Sequence, residues 1–334
     1  MVRSEIPGHG RGVSGVTLER FLRLYAGRGA VESCAPSELL AGRPRAAEYA
    51  FLGLPSPLAG PHLAKLRARH LILFDLHDDH CPMWDDHNRE VLRGASGHYL
   101  KAWTDDRWDF GLKMGLAPVR RYGKLRLALE LQRLRRAVGL ADPPHRHDVL
   151  FLGSATGLVI RGVGPAPVPN QRIDWLRELK AQGGQLACWG GLLAKTLHPD
   201  IAARHADLAQ FMLRGKVGFG RYFRALRASR VALAPQGGAP WSYRHYEAIY
   251  ARAMVVTCDF HHLQTLVPLP VDGMVHVAPG APVLPAIHRA LELRRERPEL
   301  LEENVRFLER FLERGLYSRR RPELFERFLA QLPV

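Results

Sequence analysis

Between Val231 and Asp259, the apolar run Val231-Ala232-Leu233-Ala234 enters a Pro/Gly loop, Pro235-Gln236-Gly237-Gly238-Ala239-Pro240, and a helical pattern opens after Trp241-Ser242. Ser242 suits an N-cap, because its hydroxyl can accept from an N–H that the first turn leaves without an intrahelical partner. That start puts Arg244 in the first turn and Glu247 one turn later on the same face. The N–H groups and positive dipole end at a helix start attract phosphate. Arg244 adds a bidentate fork for the same oxygens, and Glu247 can accept two hydrogen bonds from a ribose diol. The competing reading is an i,i+3 surface pair with no ligand. A second stretch concentrates Asp75, His77, Asp78, Asp79, His80, Asp85, Asp86 and His87 within thirteen positions. Such a cluster could bind a divalent metal, supply a general base, or cap a strand with polar groups.

The elements that must position these groups can be read along the chain. Residues 1–15 form a Gly-rich polar arm, and Thr17 to Tyr25 reads as a short helix with Leu18, Phe21, Leu22 and Tyr25 on one face. Ala35 to Pro61 is rich in proline and glycine and reads as loop, and His62 to Arg69 reads as a short helix. Leu71-Ile72-Leu73-Phe74 is a continuous apolar run of the kind found in buried parallel strands, and it ends at Asp75. Lys124 to Val138 reads as a helix with Leu127, Leu131, Leu134 and Val138 on its apolar face. Ala141-Asp142-Pro143-Pro144-His145 reads as a linker, which places a domain boundary between residues 144 and 145.

Beyond it, strand and helix alternate. Strands are expected at Asp148–Gly153, Gln185–Trp189, Val231–Ala234, Met254–Thr257 and Met274–Val277. Helices are expected at Arg172–Gln182, Phe219–Arg227, Tyr243–Ala251, Val283–Arg294, Pro298–Glu313 and Pro322–Leu332. This alternation implies an α/β fold with a parallel sheet covered on both faces.

Composition narrows the classes. The chain has 334 residues, 46% apolar and 24% charged, which excludes bulk disorder and collagen-like repeats. Its formal net charge of +15 favours anionic partners: phosphorylated small molecules, acidic lipid or nucleic acid. Arg120-Arg121, Arg133-Arg135-Arg136 and Arg319-Arg320-Arg321 are short, dispersed and not interleaved with aromatics, which argues against nucleic acid. Cys34, Cys81, Cys188 and Cys258 form no CxxC pair, so neither a thiolate zinc site nor a disulfide framework is expected. No apolar run reaches the ~18 residues of a membrane span, and residues 1–15 lack an apolar signal core. These features lead to the expectation of a cytoplasmic protein, with peripheral association at an anionic membrane left open.

The strand, the P-x-G of Pro235–Gly237, the S-x-R-x-x-E-A of Ser242–Ala248 and the apolar strand around Met254-Val255-Val256 together resemble the donor half of exostosin-like GT-B glycosyltransferases. Arg252 or Ala253 stands where that family has a glycine, and Val255 where it has a proline. Asp148–Gly153 followed by Arg172 is similar to the family's F-x-G…R opening, where Gly153 and Ser154 would let backbone approach the ligand. In the N-terminal half, Asp75 with Asp78 or Asp79, and Tyr99-Leu100-Lys101, stand in the places of the family's D-x-x-D and Y-x-K. The resemblance spans residues 70–330.

The resemblance implies two Rossmann-like domains facing a cleft. Residues 16–144 would be the acceptor side, and residues 145–334 the nucleotide-sugar domain with terminal helices. Gly153, Ser154, Arg172, Gly237, Gly238, Ser242, Arg244 and Glu247 would bind the donor, with Arg244 on its diphosphate and Glu247 on its ribose. Asp75, His77 and Asp79 are the candidates for catalytic base or acceptor binding. No resident cofactor or metal is expected, only a nucleoside-diphosphate sugar as donor and a glycan or other hydroxyl acceptor, in glycan or polysaccharide biosynthesis. Two alternatives stand beside it: a metal-dependent hydrolase centred on Asp75–His87, and a non-catalytic glycan-binding protein of the same fold.

Overall fold

The computed structural model describes residues 18–19, 22–23, 26, 28–53, 65–75, 98–101, 104–105, 111–113, 130, 133–135, 137–139, 143–154, 171–193, 205–213, 215, 217–236, 241–261, 263–264, 269–313, 322–332 and 334. In the N-terminal half, Leu18, Glu19, Leu22 and Arg23 are helical, with Leu18 and Leu22 buried. A short helix α1, Pro36–Ala41, precedes the strands β1 (Arg45–Gly53), β2 (Leu66–Asp75), β3 (His98–Lys101), β4 (Thr104–Asp105) and β5 (Gly111–Lys113). β1, β2, β3 and β5 form one parallel sheet in that order.

This corrects two expectations. Residues 35–61 are not loop throughout, because Pro36 opens α1 at a first-turn position that needs no N–H, and Arg45–Gly53 is a strand. Residues 66–69 are not helical. They extend β2 backwards, where Leu66, Arg67 and Ala68 pair in parallel register with Arg45, Ala46 and Ala47. Tertiary pairing overrides a weak local helical preference here.

The second half holds β6 (His147–Ser154), α2 (Gln171–Ala181), β7 (Cys188–Leu193), β8 (Met212–Leu213), α3 (Phe219–Arg227), β9 (Ser229–Ala234), α4 (Tyr243–Tyr250), β10 (Met254–Cys258), β11 (Leu263–Gln264) and β12 (Val275–Val277). It ends with α5 (Val283–Glu296), α6 (Glu299–Phe307), a π-helical turn at Leu308–Glu313, and α7 (Pro322–Leu329). Its sheet is six-stranded and parallel, in the order β8-β7-β6-β9-β10-β12. Counted from β6 and leaving out the short β11, this is the doubly wound 3-2-1-4-5-6 order.

The expected strand at 185–189 lies three residues later, at Cys188–Leu193. Gly190-Gly191 reads as punctuation in sequence but sits inside the strand. A Cβ on Gly190 would collide with the Phe151 carbonyl, and one on Gly191 with that of Phe211, so close backbone approach requires both glycines.

Alternation along these strands builds two cores. Val149, Phe151, Val231, Leu233, Met254 and Val256 pack with α2 and α5 residues such as Leu176 and Ile287. Leu150, Ala232, Ala234 and Val255 face the other way, with Tyr222, Phe223 and Leu226 of α3 and Tyr246 and Ile249 of α4. Phe51, Ile72 and Phe74 of the first sheet join this second core. So does Phe328 of α7, whose ring stacks on Phe51 at 6.4 Å. A two-stranded antiparallel pairing, β4 with β11, also links the halves through Thr104↔Gln264 and Asp105↔Leu263.

The apolar stripe read in Lys124–Val138 is not a core face where it is described. Leu134 and Val138 are exposed. Arg133 pairs with Glu309 and Arg135 is buried, so the segment docks through its arginines and turns those apolar residues outward.

Candidate functional site

In a doubly wound sheet, ligands bind beyond the strand carboxyl ends where strand order reverses. Here that point lies between the neighbours β6 and β9, whose chains continue to opposite sides of the sheet. β6 ends in Gly153-Ser154, and β9 runs into Pro235-Gln236 and then, past residues outside the description, Trp241-Ser242 at the start of α4.

Two arginines converge on this point from different helices. Arg172, in the first turn of α2, donates from Nη1 to Ser154 O at 3.1 Å and to Ser154 Oγ at 2.9 Å. Arg244, in the first turn of α4, donates from Nε to Leu152 O at 3.2 Å and lies over the Phe151 ring at 5.3 Å. Burial, and then the charge of Arg244, brings Arg172 down to about 10. Burial also lowers Arg244, opposed by Tyr222 and Glu247. Two desolvated guanidiniums that repel each other, fixed by carbonyl and hydroxyl acceptors, have the chemistry to receive an anion with several oxygens. Glu247 is buried within electrostatic reach of Arg244.

Gly153 makes room for this. A Cβ there would stand 2.7 Å from Arg244 Nη2 and 2.9 Å from the Phe151 ring. Gly153→Ala is therefore expected to displace the guanidinium, the softer of the two obstacles, rather than the strand. Thermal stability should change little, while affinity for a nucleoside diphosphate, the ligand the sequence resemblance implies, should fall by about tenfold, in line with loss of one charge-assisted contact. A fluorescence titration against wild type checks it, and equal affinity would separate Gly153 from the anion site.

The start of α4 is held by residues that sequence reasoning missed. His245 is fully buried. Its Nδ1 accepts from Ser242 N–H at 3.1 Å, and its Nε2 lies 2.8 Å from Thr257 Oγ1. Thr257 in turn donates to Ala234 O at 3.1 Å. Since Nδ1 accepts, Nε2 carries the proton and donates to Thr257, so one neutral imidazole joins the α4 start to the ends of β9 and β10. Burial pushes His245 down to about 3. Trp241 stacks on the ring at 4.5 Å. Gln171 completes the frame, its buried side chain accepting from Gln236 N–H at 3.0 Å. The only sequence signal for His245 was a hydrogen-bonding residue three positions after an N-cap serine, the place Glu or Gln takes in a capping box.

The structure thus brings Gly153, Ser154, Arg172, Ser242, Arg244 and Glu247 into one neighbourhood. Gly237 and Gly238 lie outside the described residues. Asp75 ends β2, in parallel register with Lys101 of β3. His77 and Asp79, like the rest of the Asp/His cluster, lie outside the described residues.

No protein-family model matches the sequence, and none of the curated proteins does. Solved structures do match. A glycosyltransferase from Rickettsia africae ESF-5 aligns with a TM-score of 0.52 at 8% identity, over 98% of this chain and 97% of the other. HepE from Anabaena, solved in complex with UDP-glucose, aligns with a TM-score of 0.51 at 14% identity, over 99% of this chain and 98% of the other. The fold is GT-B-like. No helix among the described residues is long and apolar enough to cross a membrane.

Proposed function

We propose that this chain is a glycosyltransferase that moves a sugar from a nucleoside-diphosphate donor to an acceptor hydroxyl. The observation that carries the reading is the pair Arg172 and Arg244, half enclosed at the switch point of the second sheet, where a diphosphate needs two charged forks. In the reaction the acceptor oxygen bonds to the anomeric carbon, the bond from that carbon to the diphosphate oxygen breaks, and the acceptor proton passes to a base. The leaving diphosphate carries the growing negative charge. Arg172, Arg244 and the N–H groups at the start of α4 stabilise it more in the transition state than in the ground state. Glu247, three positions further along the same helix face, accepts from the ribose hydroxyls.

The proposal includes an acceptor-side domain at residues 16–144 and a donor-side domain at 145–334, which the separate parallel sheets on either side of that boundary support. It includes Asp75, His77 and Asp79 as the candidates for the base, supported by the position of Asp75 at the carboxyl end of β2. A glycan acceptor and an exostosin-like relation belong to it too, and rest on the S-x-R-x-x-E-A motif at Ser242–Ala248.

The test is a thermal-shift screen of nucleoside diphosphates and nucleotide sugars on the full chain, with and without chelator. Stabilisation by at least one nucleoside diphosphate in the presence of chelator is expected, with none from the corresponding nucleoside. If no nucleotide of the panel shifts the transition, the donor-site reading fails.

A further inference from the structure

We infer that Asp259, His261 and His276 form a binding site for one divalent first-row transition-metal ion, of which Zn2+ is the natural probe, at the carboxyl end of β10. The three side chains each present a ligand atom, and these atoms lie within 4.8 Å of one another. Two imidazoles and one carboxylate are a donor set that suits zinc or iron and leaves positions open for water or substrate. Ligands at about 2.0–2.2 Å from an ion stand roughly 3–3.5 Å apart, so a small side-chain rotation closes the triad.

The backbone holds two of the three ligands rigidly. Asp259 follows β10 directly, and its N–H donates to Val277 O at 2.9 Å. His276 lies within β12, in register with Thr257 of β10. His261 is on the turn that follows, with its N–H on Asp259 Oδ1 at 3.0 Å, its Nδ1 2.7 Å from the same oxygen, and its ring 4.1 Å from that of His276.

The second observation concerns His276 itself. Its Nε2 donates to Val271 O at 2.9 Å, and a carbonyl can only accept, so Nδ1 is the nitrogen with the lone pair. That Nδ1 is buried and has no hydrogen-bond partner among the described residues. An imidazole anchored by one N–H to a carbonyl, with its other nitrogen left to accept, is the outer-sphere arrangement that orients metal-bound histidines.

An ion here would staple the ends of β10 and β12 to the turn that leads, two residues on, into β11 and its pairing with β4 of the first sheet. The site shares no residue with the arginine pair and does not rest on the glycosyltransferase reading. Phe260 packs its ring on His276 at 4.9 Å and on Trp241 at 5.9 Å, so the ion would also brace the wall behind the α4 start.

The experiment is calorimetric titration of Zn2+ into chelator-stripped full-length protein, with Co2+ visible absorption as a spectroscopic reading of ligand geometry. With 16 histidines and 4 cysteines in the chain, the variants decide rather than stoichiometry alone. Wild type should bind one Zn2+ tightly. His261→Ala removes an exposed ring and leaves the fold unburdened. It and Asp259→Asn should each weaken that event by at least about tenfold, the loss that removal of even an outer-sphere partner produces. The Zn2+-induced rise in Tm, about 5 °C at a hundredfold excess over the wild-type Kd, should fall by about half or more in both variants. Absence of a stoichiometric event in wild type, or equal affinity in wild type and His261→Ala, overturns the site. Nucleoside-diphosphate binding, measured in parallel on the same stripped protein, reports on the donor reading separately.

Discussion

Arg244→Ala should lower the affinity of the cognate nucleoside diphosphate by roughly ten- to a hundredfold, because a hydrogen bond to an ionised group contributes about 1.5–3 kcal/mol. The fold should survive the change. What Arg244 gives the protein itself is one bond to Leu152 O, a contact over the Phe151 ring and attraction to Glu247, and its charge burdens Arg172. Losing the first two costs about 1–2 kcal/mol, and relief of repulsion between two desolvated cations offsets part of it. The variant should therefore lose far more in binding than in Tm, the reverse of what a purely structural arginine would show. Glu247→Gln is the companion. It replaces one of two acceptor oxygens with a donor group, so it should weaken a nucleoside diphosphate while leaving inorganic pyrophosphate unaffected. Calorimetry with both ligands separates the roles. Wild-type affinity in both variants would remove the donor site and with it most of the case for the proposed reaction.

Acid should destabilise the protein through His245 well before carboxylates titrate. Its folded-state value is about 3, and the unfolded chain's is near 6.5. Between those values the unfolded chain holds one more proton than the folded one, so stability rises with pH in that window. The contribution is fully present above about pH 6.5 and drains at about 1.4 kcal/mol per unit as pH falls towards 3. By pH 4.5 the loss amounts to roughly 3 kcal/mol, a large share of a typical domain's stability. Burial lowers His147 and His276 too, and they act in the same direction. Urea unfolding at a series of pH values gives the slope. His245→Gln keeps a donor for Thr257, loses the titration, and should flatten the slope by about one proton even if it is less stable at pH 7. Parallel slopes in the two proteins would show that the imidazole is not held neutral by its burial.

Much of the second half was legible because its signals are local. Val231–Ala234 and Met254–Thr257 are apolar runs bounded by turn residues, and Phe219–Arg227 repeats its aromatics at helical spacing, so each reads nearly as it folds. The start of α4 was likewise written in Ser242, Arg244 and Glu247. What lay beyond sequence was anything decided by a neighbour distant in the chain. Residues 66–69 have no strand signal of their own and became strand where Leu66, Arg67 and Ala68 pair with Arg45, Ala46 and Ala47. Gly190-Gly191 looked like an ending and proved to be where Phe151 and Phe211 backbones approach too closely for a side chain. The neutral state of His245 follows from Thr257 and Ser242 taking its two nitrogens inside a core, and no spacing announces that. Asp259 and His261 stand close in sequence, but His276 joins them only because β12 lies beside β10. The α/β class, the helix after Ser242 and most elements after residue 146 could be read from the residues themselves, since those depend on periodicity and caps. Tertiary structure alone decided the 3-2-1-4-5-6 strand order, which sets Arg172 beside Arg244 across 72 positions, because long-range pairing depends on burial shared between segments and not on the residues of either one.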